Sequence, residues 1–392
     1  MQFQKLDIFC RVIDNFGDIG VVYRFAREFL CSNPAIKIRV FLDDFNTFAS
    51  LNDTVDPSKC IQTIDSITYL QMDSLTHVFF EDNGTAEVII EAFGCEIPDV
   101  YMEKAYYQSK LLLNLEYISA EDWVEGYHLR ESLLPKGNLK KYFFMPGFTK
   151  ATGGVIVNSY INASIEKNRF DSLSIISNTL ASCNFIIKPD ADSMIGTIFT
   201  YLRNFRNLFD SISNLKKQFI LLIFGQKSKE GIMSTLRELG CSYEGSNDIQ
   251  YQNMHLIFLP FLAQQSYDLL LYHTDFNIVR GEDSLVRAVL AGKPMIWNAY
   301  LQNKKYQIVK VEAFCRRMQP YFDDSKDFEK YLELMINFNN VEKEDPQINT
   351  NERYEYFFEN LNKFEHSTKK MSYFLLNNCN LIQNISSFIK NY

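Results

Sequence analysis

The chain has 392 residues, 46% of them apolar and 22% charged, with a formal net charge of -8. That length exceeds what a single core usually organises, so two domains of near-equal size are expected. The acidic balance, with no basic run, excludes a general nucleic-acid binder, and no apolar run reaches the length of a membrane span.

None of the eight cysteines (Cys10, Cys31, Cys60, Cys95, Cys183, Cys241, Cys315 and Cys379) stands in a C-x-x-C pair. Most lie in apolar segments, which reads as reduced, buried thiols in a cytoplasmic protein. His77, His128, His255, His273 and His366 are scattered without zinc-ligand spacing, so no metal is expected. The N-terminus lacks the signature of a signal peptide.

Residues 6–13 form an apolar run suited to the first strand of a parallel sheet. Residues 14–20 read as the turn after it, with Gly17 and Gly20 supplying freedom, and residues 21–30 show helical spacing. The turn is not G-x-G-x-x-G, and no P-loop string occurs, so nicotinamide and P-loop readings lose their support. Residues 37–42 predict a second strand ending in Asp43-Asp44. Further short strands are expected at 77–80, 88–90 and 111–115, with polar, acidic and aromatic loops at 91–98 and 116–126. This alternation describes a doubly wound α/β domain. Thr152-Gly153-Gly154 near the end of this half could cradle phosphate, but such a pair more often serves a turn.

The second half restarts the alternation. Residues 185–188 read as a linker or short strand, and 198–209 as the start of a helix. Strands are expected at 219–224, 256–259, 275–279 and 294–297, and helices at 266–272, 309–315 and 328–338. Residues 343–352 are polar and contain Pro346, which suits a surface connection. Residues 371–389 place their apolar side chains near one helical face, a helix that packs on its own protein.

The run from Val279 to Ala288 has the most chemical content. Arg280 to Ser284 lie where a strand end turns into a helix N-terminus, the edge at which open α/β sheets take ligands. Free N–H groups, the helix dipole and the Arg280 fork all suit a diphosphate, and Glu282 suits sugar hydroxyls. The bland reading has about equal weight locally: Asp283 or Ser284 is an ordinary N-cap, and Arg280 and Glu282 form an exposed ion pair. Two doubly wound halves facing a cleft would make a nucleotide-sugar transferase, but the pattern alone also permits a two-lobed binding protein.

Several strings resemble the bacterial protein-arginine rhamnosyltransferases that modify elongation factor P, the EarP family. They are Asp7-Ile8-Phe9-Cys10 with residues 12–20, residues 91–98, residues 113–126, Pro146-Gly147-Phe148 with Thr152-Gly153-Gly154, and Pro260-Phe261-Leu262. The closest is Val279 to Ala288 with Ala291-Gly292-Lys293-Pro294. Departures follow Gly126 and Gly154: Tyr127-His128-Leu129-Arg130-Glu131 lacks the family's Gly-Leu-Pro after the histidine, and Val155-Ile156-Val157-Asn158 lacks its charged pair. They bear on acceptor contacts rather than the donor site.

The resemblance implies a GT-B glycosyltransferase fold, two doubly wound Rossmann-like domains facing a cleft. It places an acceptor domain at 1–160, a nucleotide-sugar domain at 180–355, and a C-terminal helix at 366–392 packed back on the first. It further implies inverting transfer of L-rhamnose from TDP-β-L-rhamnose to an arginine of elongation factor P. No cofactor, membrane or direct nucleic-acid contact is implied. Carried over by motif, the donor site comprises Phe199, Tyr201, Phe261, Gln264, Arg280, Glu282, Asp283 and Ser284. The essential carboxylates are Asp14, Asp18 and Glu282, with Asn15, Phe16 and Gly17 on the acceptor side. A guanidinium nitrogen is a poor nucleophile, so paired carboxylates that grip it and take its proton answer a chemical need. Asp18 is assigned as base with Asp14 orienting; the reverse assignment stays open, as does the simpler reading that Asp18 caps the following helix. The rival functions are a related transferase with another donor or acceptor, which a donor screen separates, and a non-catalytic sugar-nucleotide-binding protein.

Overall fold

The computed structural model describes residues 3–13, 16–75, 77–159, 172–190, 192–241, 245–348 and 350–392. The chain divides into two compact units, Met1–Ser159 with Leu375–Tyr392, and Tyr160–Phe374.

In the first unit the strand order is β3-β4-β2-β1-β5-β6-β8-β7. The strands are β1 (Lys5–Cys10), β2 (Lys37–Leu42), β3 (Ile61–Ile64), β4 (Ile67–Gln71), β5 (Val88–Ala92), β6 (Leu111–Leu115), β7 (Glu131–Ser132) and β8 (Lys140–Phe144). The central pairs are parallel, and only the edge strands β3 and β7 run antiparallel to their neighbours. β1 and β6 are mostly apolar, each with one buried polar residue (Asp7 and Asn114), because both faces of a parallel sheet are covered. The chain moves outward from β1 to β2 on one side and resumes at β5 on the other. The order therefore reverses between β1 and β5, where carboxyl-end loops diverge and leave room for a ligand.

The second unit repeats the design with the order β11-β12-β10-β9-β13-β14. Its strands are β9 (Met194–Phe199), β10 (Phe219–Phe224), β11 (Asp248–Tyr251), β12 (Met254–Phe258), β13 (Phe276–Arg280) and β14 (Met295–Asn298). Here the reversal falls between β9 and β13, which pair in parallel.

Several sequence expectations are corrected. Residues 198–209 are not a helix start. Residues 194–199 form the central strand β9, and the helix Arg206–Ser213 begins later. Gly196 hides the strand signal but has a packing reason: a Cβ there would lie 2.1 Å from the Phe276 ring. Residues 77–80 belong to the helix His77–Asn83, because a four-residue apolar run does not distinguish strand from helix. The hairpin β3–β4 was not expected. Residues 185–188 lie in neither helix nor strand. The turn proposed at 14–20 is shorter, since the helix Phe16–Ser32 already contains Gly17 and Gly20. Residues 371–389 are two helices, Leu361–Asn378 and Leu381–Asn391, split where Asn380 caps the second through its side chain on the Ile382 and Gln383 N–H groups.

Gly153 and Gly154 serve close approach. A Cβ on Gly153 would meet the Phe144 ring at 2.6 Å, and Gly154, at φ +87, would meet the Cys379 carbonyl oxygen at 2.3 Å. Val155 donates to Cys379 O and accepts from Leu381 N, both at 2.8 Å, so the chain end is stitched to the first unit. Leu381, Ile382, Ile385 and Ile389 then enter the core beside Val22, Phe25, Phe29 and Phe144. Of the eight thiols, Cys10, Cys95, Cys315 and Cys379 are buried, Cys31 and Cys60 are exposed, and all are free.

Candidate active site

In the second unit the site candidates gather at the β9/β13 reversal. Arg280 ends β13 and is the N-cap of the helix Gly281–Ala291. The left-handed φ of +67 at Gly281 suits glycine, and a side chain there would press on the Tyr201 hydroxyl at 3.4 Å. The Trp297 indole N–H donates to the Gly281 carbonyl at 2.9 Å and steadies the turn. Arg280 therefore leaves the strand at a held angle. Its guanidinium lies 4.3 Å from the Phe199 ring centroid and 4.9 Å from that of Tyr201, and Nη1 donates to Thr200 O at 3.3 Å. Cation–π contact with the two rings aligns the planar fork. Phe199 is itself seated by Gly225, at φ +77, where a Cβ would come within 2.8 Å of the ring.

The turn after β9 has little spare hydrogen bonding. Thr200 N donates to the Ser228 hydroxyl at 2.8 Å and Tyr201 N to the Asn298 side-chain oxygen at 2.9 Å. A phosphate would meet the first turn after Arg280, the end of a helix that favours anions. Both parts of the bland reading fail. Neither Asp283 nor Ser284 is the N-cap, because the helix starts at Gly281. Glu282 does not pair with Arg280; it accepts from Lys310 Nζ at 2.9 Å.

Asp283 and Gln264 are arranged around one buried guanidinium, that of Arg287. Arg287 bonds Asp268 through Nε, donates to the Gln264 carbonyl at 2.9 Å and lies 3.5 Å from Asp283 Oδ2. Burial alone would lower the Arg287 pKa, but the Asp268 and Asp283 carboxylates outweigh it and raise it. Burial also pushes the Tyr267 phenol, beneath the same guanidinium, up to about 12. Ser284 is buried, and Phe261 is 58% exposed on the loop after β12.

In the first unit Asp18 sits in the first helical turn after β1 and is only 1% exposed. One carboxylate oxygen accepts from Ile13 N at 2.8 Å and the other from the Tyr117 hydroxyl at 2.8 Å. Asp18 therefore ties the loop after β1 to the loop after β6. The Tyr117 ring stacks on Phe93 at 4.3 Å and 13°. Phe93 adopts φ +58, a strained conformation for this residue type, held by its N–H on Leu115 O at 2.7 Å. Phe16 is exposed and Gly17 half-buried, and both lie in the helix. Asp14 and Asn15 lie outside the described residues. His128 is held in place by packing: Nδ1 accepts from Met145 N at 3.2 Å, and burial lowers its pKa to about 4. Among the described residues, no three His, Cys, Asp or Glu side chains gather to hold a metal ion.

Sequence reasoning missed Lys310, Asp268, Asn298, Phe93 and Tyr117. Tyr117 stood inside a quoted string, but a hydroxyl reaching a carboxylate 99 residues away leaves no local signal.

Residues 6–390 match the family model described as Elongation-Factor P (EF-P) rhamnosyltransferase EarP. A protein-arginine rhamnosyltransferase of Pseudomonas putida is 34% identical, over 82% of this chain and 83% of its own length. That of Shewanella oneidensis is also 34% identical, over 79% and 80%, and that of Neisseria meningitidis is 31% identical, over 80% and 79%. A solved structure described as the structural basis for EarP-mediated arginine glycosylation of translation elongation factor EF-P shares the fold at a TM-score of 0.65. It is 19% identical and is covered over 99% of its length by the whole of this chain. A match across nearly every residue, with relatives above 30% identity over most of both lengths, places this chain in the Elongation-Factor P (EF-P) rhamnosyltransferase EarP family.

Proposed function

We infer that this chain is a protein-arginine rhamnosyltransferase acting on elongation factor P, and we propose TDP-β-L-rhamnose as its donor. The observation that carries this reading is the family match over residues 6–390. The Arg280 fork, braced by Phe199 and Tyr201 at a sheet reversal point, supports a nucleoside diphosphate as the leaving group. In this reading Arg280 and the amides of the following turn take up the charge that develops on the diphosphate. Glu282, oriented by Lys310, holds a ribose hydroxyl. The exposed Phe261 ring packs on the thymine. A cationic cradle of this kind needs no divalent ion, so the transfer proceeds without metal.

On the acceptor side the arginine nitrogen attacks the anomeric carbon opposite the departing TDP. The C–N bond forms as the C–O bond to phosphate breaks, inverting the β-linkage, and one N–H proton passes to a carboxylate. We assign that carboxylate to Asp18, with Asp14 as its orienting partner. The incoming guanidinium takes the place of the Tyr117 hydroxyl on Asp18. A cytoplasmic location follows from a translation-factor substrate.

The test is direct. The protein is incubated with TDP-rhamnose and elongation factor P, and the acceptor is mapped by mass spectrometry. A single deoxyhexose on arginine supports the reading. No transfer, or equal transfer from an unrelated nucleotide sugar, overturns the donor assignment.

A further inference from the structure

Two helices flank β13 in sequence, Gln264–His273 before it and Gly281–Ala291 after it. Both contribute donor-site candidates at their N-termini, Gln264 on one and Glu282, Asp283 and Ser284 on the other. Arg287 is the side chain that joins those two ends. Its Nε bonds Asp268, its Nη2 takes the Gln264 carbonyl at 2.9 Å, and its Nη1 faces Asp283 at 3.5 Å. The guanidinium also covers the Tyr267 ring, 4.7 Å from its centroid. The Arg287 side chain is 11% exposed and that of Asp268 5%, whereas Asp283 is 25% exposed. The network therefore runs from a buried anchor, Asp268, to a carboxylate at the surface of the candidate site.

We propose that Arg287, anchored by Asp268, is a positioning residue of the donor site: it sets the helix turn carrying Asp283 against the loop carrying Gln264, and so sets the affinity for the nucleoside diphosphate. This rests on the donor-site reading above. The geometry requires a guanidinium. Its three acceptors lie in different directions around one planar fork, a spread that a point-charge ammonium on the shorter lysine side chain cannot reproduce. The arrangement also separates two carboxylates by one cation. Without it, Asp268 and Asp283 would repel, and the first turn of the helix would shift under the phosphates.

The test compares Arg287→Lys, Asp268→Asn and Arg280→Ala by melting temperature, TDP affinity in calorimetry, and donor KM and kcat. Arg287→Lys is expected to remain folded at the assay temperature with TDP affinity weakened roughly tenfold, the scale of one lost charged hydrogen bond. Donor KM should rise by a similar factor while kcat falls by less than about threefold. Asp268→Asn should shift the same quantities in the same direction by about threefold, and serves if Arg287→Lys fails to fold. A purely structural role lowers the melting temperature but leaves TDP affinity and donor KM of the folded protein unchanged; that result in a folded variant overturns the proposal. Arg280→Ala separates the two claims. If it weakens TDP binding while the other two variants do not, the positioning role fails and the site stands. If Arg280→Ala also leaves binding unchanged, the donor-site reading itself fails.

Discussion

Arg280 illustrates how a residue acquires a role from neighbours that the local string does not contain. Its fork is aligned by the ring that ends β9, Phe199, and by Tyr201 in the turn after it, some eighty residues upstream. Arg280→Ala should weaken TDP binding by about 10–100-fold, the range for losing a charge-assisted bidentate contact; titration calorimetry reads this directly. Tyr117 is the counterpart on the proposed acceptor side, where its hydroxyl donates to Asp18. Tyr117→Phe removes the hydroxyl on Asp18 while preserving the stack on Phe93, so acceptor KM should change by several-fold (~3–10) and TDP affinity should not. A change in TDP affinity of similar size would place Tyr117 elsewhere in the chemistry. His128 gives a pH signature. Its folded pKa, about 4, lies below the ordinary value of 6.5, so the unfolded chain binds the extra proton first. Its stabilising contribution is complete above about pH 6.5 and is lost as pH falls toward 4. Denaturant midpoints measured across that window should fall less steeply in His128→Gln than in the parent protein.

At the scale of elements, β1 is held by more than its apolar face. Asp7, fully buried, accepts two bonds from Arg39 at 2.7 and 2.6 Å, one from Tyr101 at 2.6 Å and one from Ala86 N at 3.1 Å. Arg39 is its cross-strand neighbour on β2. Replacing one partner strands the other in the core, so Asp7→Ala should cost about 3–5 kcal/mol in urea unfolding. The loop carrying Asp18's partner Ile13 leaves from this strand, and activity should fall with stability. Elements also show what could be read beforehand. Residues 219–224 are an unbroken apolar run, and residues 37–42 are apolar apart from Lys37 and Arg39; they match β10 and β2 residue for residue. β9 was missed because Gly196 and Thr197 interrupt its pattern for reasons of packing against Phe276 and of hydrogen bonding to Asn277, neither visible locally. The split between the last two helices was missed because a cap at Asn380 is compatible with continued apolar spacing on both sides.

At the scale of the molecule, the alternation of strands and helices was legible and gave two doubly wound units. The strand-to-helix turn at Arg280 was legible as a location, and Arg287 as a support one turn further on, while the contacts of Asp268 and Lys310 were not, since they join separate helices. A metal-free mechanism makes a further expectation: excess chelator should leave the transfer rate within about twofold of the untreated enzyme, because Arg280 and helix amides supply the countercharge. A large loss of rate restored by a divalent ion would reverse that assignment.

The return of residues 375–392 to the first unit bears on how the chain is made. Its core includes Leu381, Ile382, Ile385 and Ile389, which a ribosome supplies after the entire second unit. The first unit is thus completed only after the second one, and until then its core lacks the apolar side chains that pack beside Val22, Phe25, Phe29 and Phe144. A nascent chain stopped before residue 381 should expose apolar side chains of the helix Phe16–Ser32 and of Tyr142 and Phe144 in a state that binds hydrophobic dyes and invites chaperones, whereas the second unit can already be closed. In the proposed reading, a chain stopped before residue 381 would carry the unit with Arg280 complete and the unit with Asp18 incomplete.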